Sequence, residues 1–353
     1  MFSSKSSRKM IADAIRTPII TGMHRRWILA AILGWATVAG AAGCSRETSS
    51  GAGRQTKRPV IAVIPKGTTH EYWKGVHAGA LKAGEELGVD ILWQGPVKED
   101  DREEQIKVVD MIRDRAVSGI LLAPLDDKAL RGPVANAVRA GIPVVAFDSK
   151  LDSTDHLSLV ETDNYASGRL AGDHMAKLLG GKGNVIMLRL HEGSASTTER
   201  EQGFLDAVHA APGIAVVSSN QYGGATVESG FKASENLLTA FRAAAGGVDG
   251  IFCPNESTTF GMLRALQNAN LAGRIRFVGF DSSEKLLQAL RDGHLDAIVV
   301  QDPYNMGYLG VKTLVRAIRG EKVERHIDTG ATLVTRDNMD QPELQRRLHP
   351  GRQ

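Results

Sequence analysis

The chain has 353 residues, 42% of them hydrophobic, with 43 Lys and Arg against 40 Asp and Glu. That length exceeds what one ordinary core organises and suits two packed domains. The formal net charge is only +3 and the basic residues are scattered, with no stripe of interleaved aromatics, which argues against a nucleic-acid partner.

In chain order, the first feature is an export signal. The stretch MHRRWILAAILGWATVAGAAGC, residues 23–44, opens with His24, Arg25 and Arg26, continues apolar from Trp27, and ends in small residues before Cys44. Ala41-Ala42-Gly43-Cys44 resembles a bacterial lipobox, with Ala41 where Leu is usual. The expected outcome is lipid on Cys44. A plain signal peptide is the alternative, as is a single membrane helix, for which the run is short. Residues 1–22 would spoil the signal's geometry, so translation is expected to start at Met23. Residues 45–58, SRETSSGAGRQTKR, read as a flexible tether. With Cys44 acylated, Cys253 has no partner and reads as a buried strand-end thiol.

From residue 59, short apolar runs alternate with amphipathic segments. The runs are 59–64, 89–94, 118–124, 142–147, 184–190, 214–219, 250–254 and 275–280. Helical segments lie between them, such as EEQIKVVDMIRDRA and ESTTFGMLRALQNANLAG, several ending in a Gly that can cap the C-terminus. A repeat of roughly thirty residues is that of a βαβ unit. Continuous β-branched runs indicate strands buried on both faces. The fold class is therefore α/β, doubly wound.

Polar residues follow nearly every run: His70 with Tyr72 and Trp73, then Asp148 and Ser149, Tyr222, Asn255 and Asp281. Ligands of open α/β sheets bind at the carboxyl ends of strands. Asp, Asn and Ser also cap helices, so Asn255 and Asp281 could each be a cap with no ligand. Taken together, facing one crevice, they point to a binding site. Flat aromatics suit the C–H face of a sugar, and Asp and Arg suit its hydroxyls.

The stretches IPVVAFDS, SASTTEREQGF, IFCPNESTTFGMLRALQ, VGFDSS and VVQDPYNMGYLGV resemble the ribose-binding-protein group of bacterial periplasmic sugar-binding proteins, in order, from about Pro59 to Leu333. The resemblance implies two doubly wound parallel-sheet lobes joined by a hinge. The N-terminal lobe would comprise 59–162 and 302–330, and the C-terminal lobe 163–301 and 331–345. Glu161-Thr162-Asp163 and Gln301-Asp302 would be hinge crossings. It implies ligand contacts at Tyr72, Trp73, Asp148, Arg200, Asn255, Asp281 and Gln301. Three positions depart from the family pattern. His70 stands for asparagine, Ser149 for arginine, and Ala225 for an aromatic that Tyr222 could replace. Ribose itself is therefore not the expected ligand.

The resemblance further implies a monomer that delivers a sugar or polyol to the permease and ATPase subunits of an ABC transporter, without cofactor or metal. A ligand-sensing subunit for a membrane receptor is the alternative. A sugar-responsive regulator would need a DNA-binding domain where the signal and tether stand. Catalysis is not expected: Gly193-Ser194-Ala195-Ser196 lacks nucleophile-elbow spacing, the glycines of 178–184 precede a strand, and H-E-x-x-H is absent.

Overall fold

The computed structural model describes residues 57–349; the export signal, Cys44 and the tether to residue 56 lie outside the described residues. Two six-stranded sheets organise the chain. The first has the order β11-β5-β4-β3-β1-β2, all parallel. Its strands are β1 (Val60–Ile64), β2 (Asp90–Trp93), β3 (Gly119–Leu122), β4 (Val144–Phe147), β5 (Leu159–Glu161) and β11 (His326–Asp328). The second has the order β12-β10-β9-β8-β6-β7. It contains β6 (Lys182–Arg189), β7 (Gly213–Tyr222), β8 (Gly250–Phe252), β9 (Arg276–Phe280), β10 (Ala297–Val300) and β12 (Thr332–Thr335), and only β12 runs antiparallel.

Both faces of each sheet are buried, which is why the strands read as continuous apolar runs. Along β1, Ile61 and Val63 enter one apolar layer while Ala62 and Ile64 enter the other. Along β6, Val185 and Met187 alternate with Ile186 and Leu188 in the same way. Four strands lie outside the eight runs read from the sequence: β5, β10, β11 and β12. They have three or four residues each, too few for a periodic signal.

The helices of the first lobe are α1 (Glu71–Leu87), α2 (Arg102–Arg113), α3 (Arg131–Arg139) and α9 (Pro303–Ile318). Those of the second are α4 (Asn164–Leu178), α5 (Ala195–His209), α6 (Val227–Ala240), α7 (Glu256–Asn268), α8 (Glu284–Arg291) and α10 (Pro342–Leu348). The chain passes between lobes three times, from β5 to α4, β10 to α9 and β11 to β12.

Two close helix pairs set the cleft walls. A Cβ on Gly168 of α4 would lie 2.0 Å from the Arg200 carbonyl oxygen of α5. A Cβ on Gly79 of α1 would lie 1.9 Å from the Tyr304 carbonyl oxygen of α9. Bare glycine backbones thus let α5 and α1, which carry Arg200 and Trp73, seat deep in their lobes.

Candidate functional site

The carboxyl ends of both sheets face one tight cavity of about 20 Å³. His70, Tyr72, Trp73, Asp148, Arg200, Asn255, Asp281 and Gln301 line it, joined by Lys66, Leu190, Ser196, Thr197, Glu99 and Glu256. A wider hollow at its mouth is lined by residues that include Thr69, His70, Ala225, Phe260 and Lys285.

Asp148 and Asp281 hold equivalent places, each after a Phe and before a Ser at the end of a strand. Both adopt left-handed backbone, φ 64° and 66°. That conformation is unfavourable outside glycine and aims both carboxylates at the cavity. Asp281 does not cap the helix that follows. Ser283 does so, accepting from the Leu286 amide, which leaves Asp281 to accept from Gln301 Nε2 at 2.7 Å and the Glu256 amide at 3.1 Å. Asn255 does cap α7 through the Thr258 amide. It thus serves as cap and cavity wall together.

Tyr72 donates its hydroxyl to Asp148 Oδ1 at 2.7 Å. Burial, reinforced by Asp148, pushes this phenol well above its ordinary value, so it remains a donor. Asp148 Oδ2 has no other partner than the Lys66 ammonium at 2.7 Å, and Lys66 also donates to Ser196 Oγ at 2.9 Å from the other lobe. Arg200 is 3% exposed. Its Nε donates to Asn164 Oδ1 at 2.9 Å, its Nη1 to the Pro254 carbonyl at 3.0 Å, and its guanidinium lies 4.0 Å over the Phe280 ring. Among the described residues, Gln301 Oε1 is buried without a hydrogen-bond partner.

Glu99 accepts from both Trp73 Nε1 and His70 Nδ1. Burial opposes charge on both partners, but each outweighs it for the other. Glu99, aided by Glu256 and Asp281, raises His70 to about 9. His70, Trp73 and Lys66 hold Glu99 down at about 2. Burial raises Glu256 to about 7, Asp281 adding to it while His70 and the Tyr72 and Glu71 amides resist. Burial likewise raises Glu161, at the end of β5, to about 8 against the pull of Lys150.

These shifts set a pH dependence. The His70 contribution is complete below its ordinary 6.5 and lost as pH rises through about 9. Glu99 contributes fully above 4.5 and loses its part as pH falls through about 2. Glu256 and Glu161 bind protons more tightly when folded, so each costs stability as pH rises from 4.5 towards 7 and 8. The melting temperature is expected to peak near about pH 5 and to fall towards about pH 9. His70→Gln should lessen the fall above 6.5 and leave the part owed to Glu256 and Glu161, which ends near 8. An equal fall in that variant would show that His70 carries no charge.

Two predicted residues are placed elsewhere. Tyr222 ends the edge strand β7, where register shifts in the β6–β7 pairing turn it outward. It is 42% exposed, and the Arg189 guanidinium sits 4.9 Å from its ring. It lines neither the cavity nor its mouth, whereas Ala225 is buried at the mouth. Ser149 is fully buried behind the cavity, and its Oγ accepts the Ser196 amide at 3.0 Å. Sequence reasoning missed Lys66, Glu99 and Glu256. Lys66, two residues past β1, carried a signal in its position; Glu99 lies in the acidic run KEDDREE, which resembles a solvated helix start.

The comparisons with known proteins bear on this fold as a whole. Residues 61–322 match the family described as a periplasmic binding protein domain. The chain belongs to that family. The ribose import binding protein of Escherichia coli is 30% identical over 304 residues, 85% of this chain and 98% of that one. Among solved structures, a carbohydrate transporter solute binding protein from Agrobacterium radiobacter in complex with D-arabinose superposes with a TM-score of 0.79 at 35% identity, covering 83% of this chain and 99% of its own. An ABC transporter solute binding protein from Agrobacterium vitis with bound D-fucose gives 0.77 at 36% identity, covering 82% and 99%. The fold is thus that of a two-lobed sugar-binding periplasmic component of ABC sugar transport.

Proposed function

We propose that this binding protein captures a neutral sugar or sugar-like polyol between its lobes and hands it to an ABC permease from a lipid anchor on Cys44. The observation that carries the reading is the cavity with Asp148, Asp281 and Gln301 from different strand ends and Arg200 from α5 around Tyr72 and Trp73. Charges of both signs line it, Lys66, His70 and Arg200 against Asp148, Glu99, Glu256 and Asp281. A phosphate or carboxylate would disturb that balance, whereas hydroxyls can both donate and accept. The three crossings between lobes act as the hinge, and bound sugar favours the closed form because it touches both sides. We place the lobe boundaries at 162, 301 and 330.

The test is a thermal-shift panel on the purified chain. D-ribose, D-arabinose, D-fucose, D-allose and xylitol, ligands borne in the names of relatives, are its members. A ligand bound only to the native state raises stability by RT ln(1 + [L]/Kd), about 2.7 kcal/mol at a hundredfold excess over Kd. At least one member is expected to raise the melting temperature; a flat response to all would sink the sugar reading. For the anchor, Cys44→Ser is expected to release the protein from the membrane fraction. Retention equal to wild type would remove the lipid.

A further inference from the structure

Among the described residues, six α-helices carry an N-cap bond from their own cap residue: α2 from Asp101, α4 from Asp163, α6 from Thr226, α7 from Asn255, α8 from Ser283 and α9 from Asp302. Four do not: α3, α10 and the two that open onto the cleft from the first strand of each lobe. His70 at the start of α1 makes no cap bond, and neither does Ser194 at the start of α5, whose Oγ is buried without a partner. The exposed amides of a helix start demand an acceptor.

Both find it in the opposite lobe. The Glu256 carboxylate, from the second lobe, accepts from the Glu71 amide at 3.4 Å and the Tyr72 amide at 3.3 Å at the start of α1. Ser149 Oγ, from the first lobe, accepts from the Ser196 amide at 3.0 Å at the start of α5. In each case the bonded amide includes the second residue of the helix. A carboxylate at the positive end of α1 also meets a favourable dipole.

We propose that the lobes cap each other's first helix when the cleft closes, so that Glu256 and Ser149 are positioning residues that tie ligand capture to closure. On opening, the three amides and both acceptors return to water; on closing, two helix starts are completed at once. Positions 70 and 149 are two of the three departures from the family pattern, and the exchange accounts for both: α1 lacks a capping side chain of its own, and a short hydroxyl stands where it can cap α5.

This inference rests on the sugar-capture reading, and its test separates the two. Isothermal titration of the full chain with D-ribose, D-arabinose and D-fucose is compared among wild type, Glu256→Ala, Ser149→Ala and the double variant. Loss of one cap is expected to weaken binding about 2- to 30-fold. Because the caps act on the lobes and not on the sugar, the factor should be the same for every sugar bound. In wild type, sugar should slow hydrogen exchange at the Tyr72 and Ser196 amides, and each alanine variant should lose that protection at its own amide. Unchanged affinity, or a loss that differs more than tenfold between sugars, would overturn the inference, the second because Glu256 would then be a direct contact. If wild type binds none of the three, the sugar reading fails by itself. The caps are then judged by small-angle scattering of ligand-free protein, where the double variant should be more expanded; identical profiles would overturn them.

Discussion

Alanine at Trp73 is expected to damage the fold as well as the site. The side chain is 2% exposed and packs in the same apolar layer as Val76, Val145 and Phe147, edge-to-face with Phe147 and with Tyr72. Truncating a buried tryptophan typically costs about 3–5 kcal/mol, a large share of a domain's stability. It also strips Glu99 of the indole donor and opens the cavity wall. Urea unfolding should show the loss without ligand, and titration should show weakened sugar binding in the folded remainder. Trp73→Phe keeps most of the volume and loses only the indole N–H, so it should recover most of the stability. The sequence-based expectation that Trp73 is a ligand contact is thus too narrow. The residue is core on one side and cleft on the other.

Alanine at Arg200 is expected to remove binding while leaving the lobes folded. Its two defined bonds, to Asn164 and the Pro254 carbonyl, and its seat on Phe280 hold the guanidinium at the cavity wall. Truncating a buried, hydrogen-bonded charge in an interface costs about 2–5 kcal/mol, or roughly 30- to 4000-fold in affinity. Burial already raises the Asp281 carboxyl, with Arg200 the chief opposing influence. Loss of Arg200 should therefore raise it further and shift the pH dependence of binding upward. Lysine is a poor substitute, because one ammonium cannot make a planar fork or stack. Affinity of Arg200→Ala within a few-fold of wild type would show that the guanidinium is structural.

How far the site was legible follows from particular residues. Asp148 and Asp281 stood out because a polar residue directly after an apolar run must lie near a strand's carboxyl end. Glu99 did not, since its partners His70 and Trp73 lie 26 or more positions away. Tyr222 was misplaced because its side-chain direction depends on a register shift in β7 that no local pattern records. Ser149 was read as a ligand contact, but its partner belongs to the other lobe.

The amino-acid sequence alone determined the α/β class, the alternation of buried strands and helices, and the strand ends where a ligand would meet the protein. Those follow from periodicity and hydrophobicity, which act over a few neighbouring residues. Only the tertiary structure decided that Lys66, Glu99 and Glu256 join the cavity, that Tyr222 leaves it, and that α1 and α5 are capped from across the cleft. Each of those depends on groups distant in sequence meeting at hydrogen-bond range, and such meetings are set by the packing of the lobes.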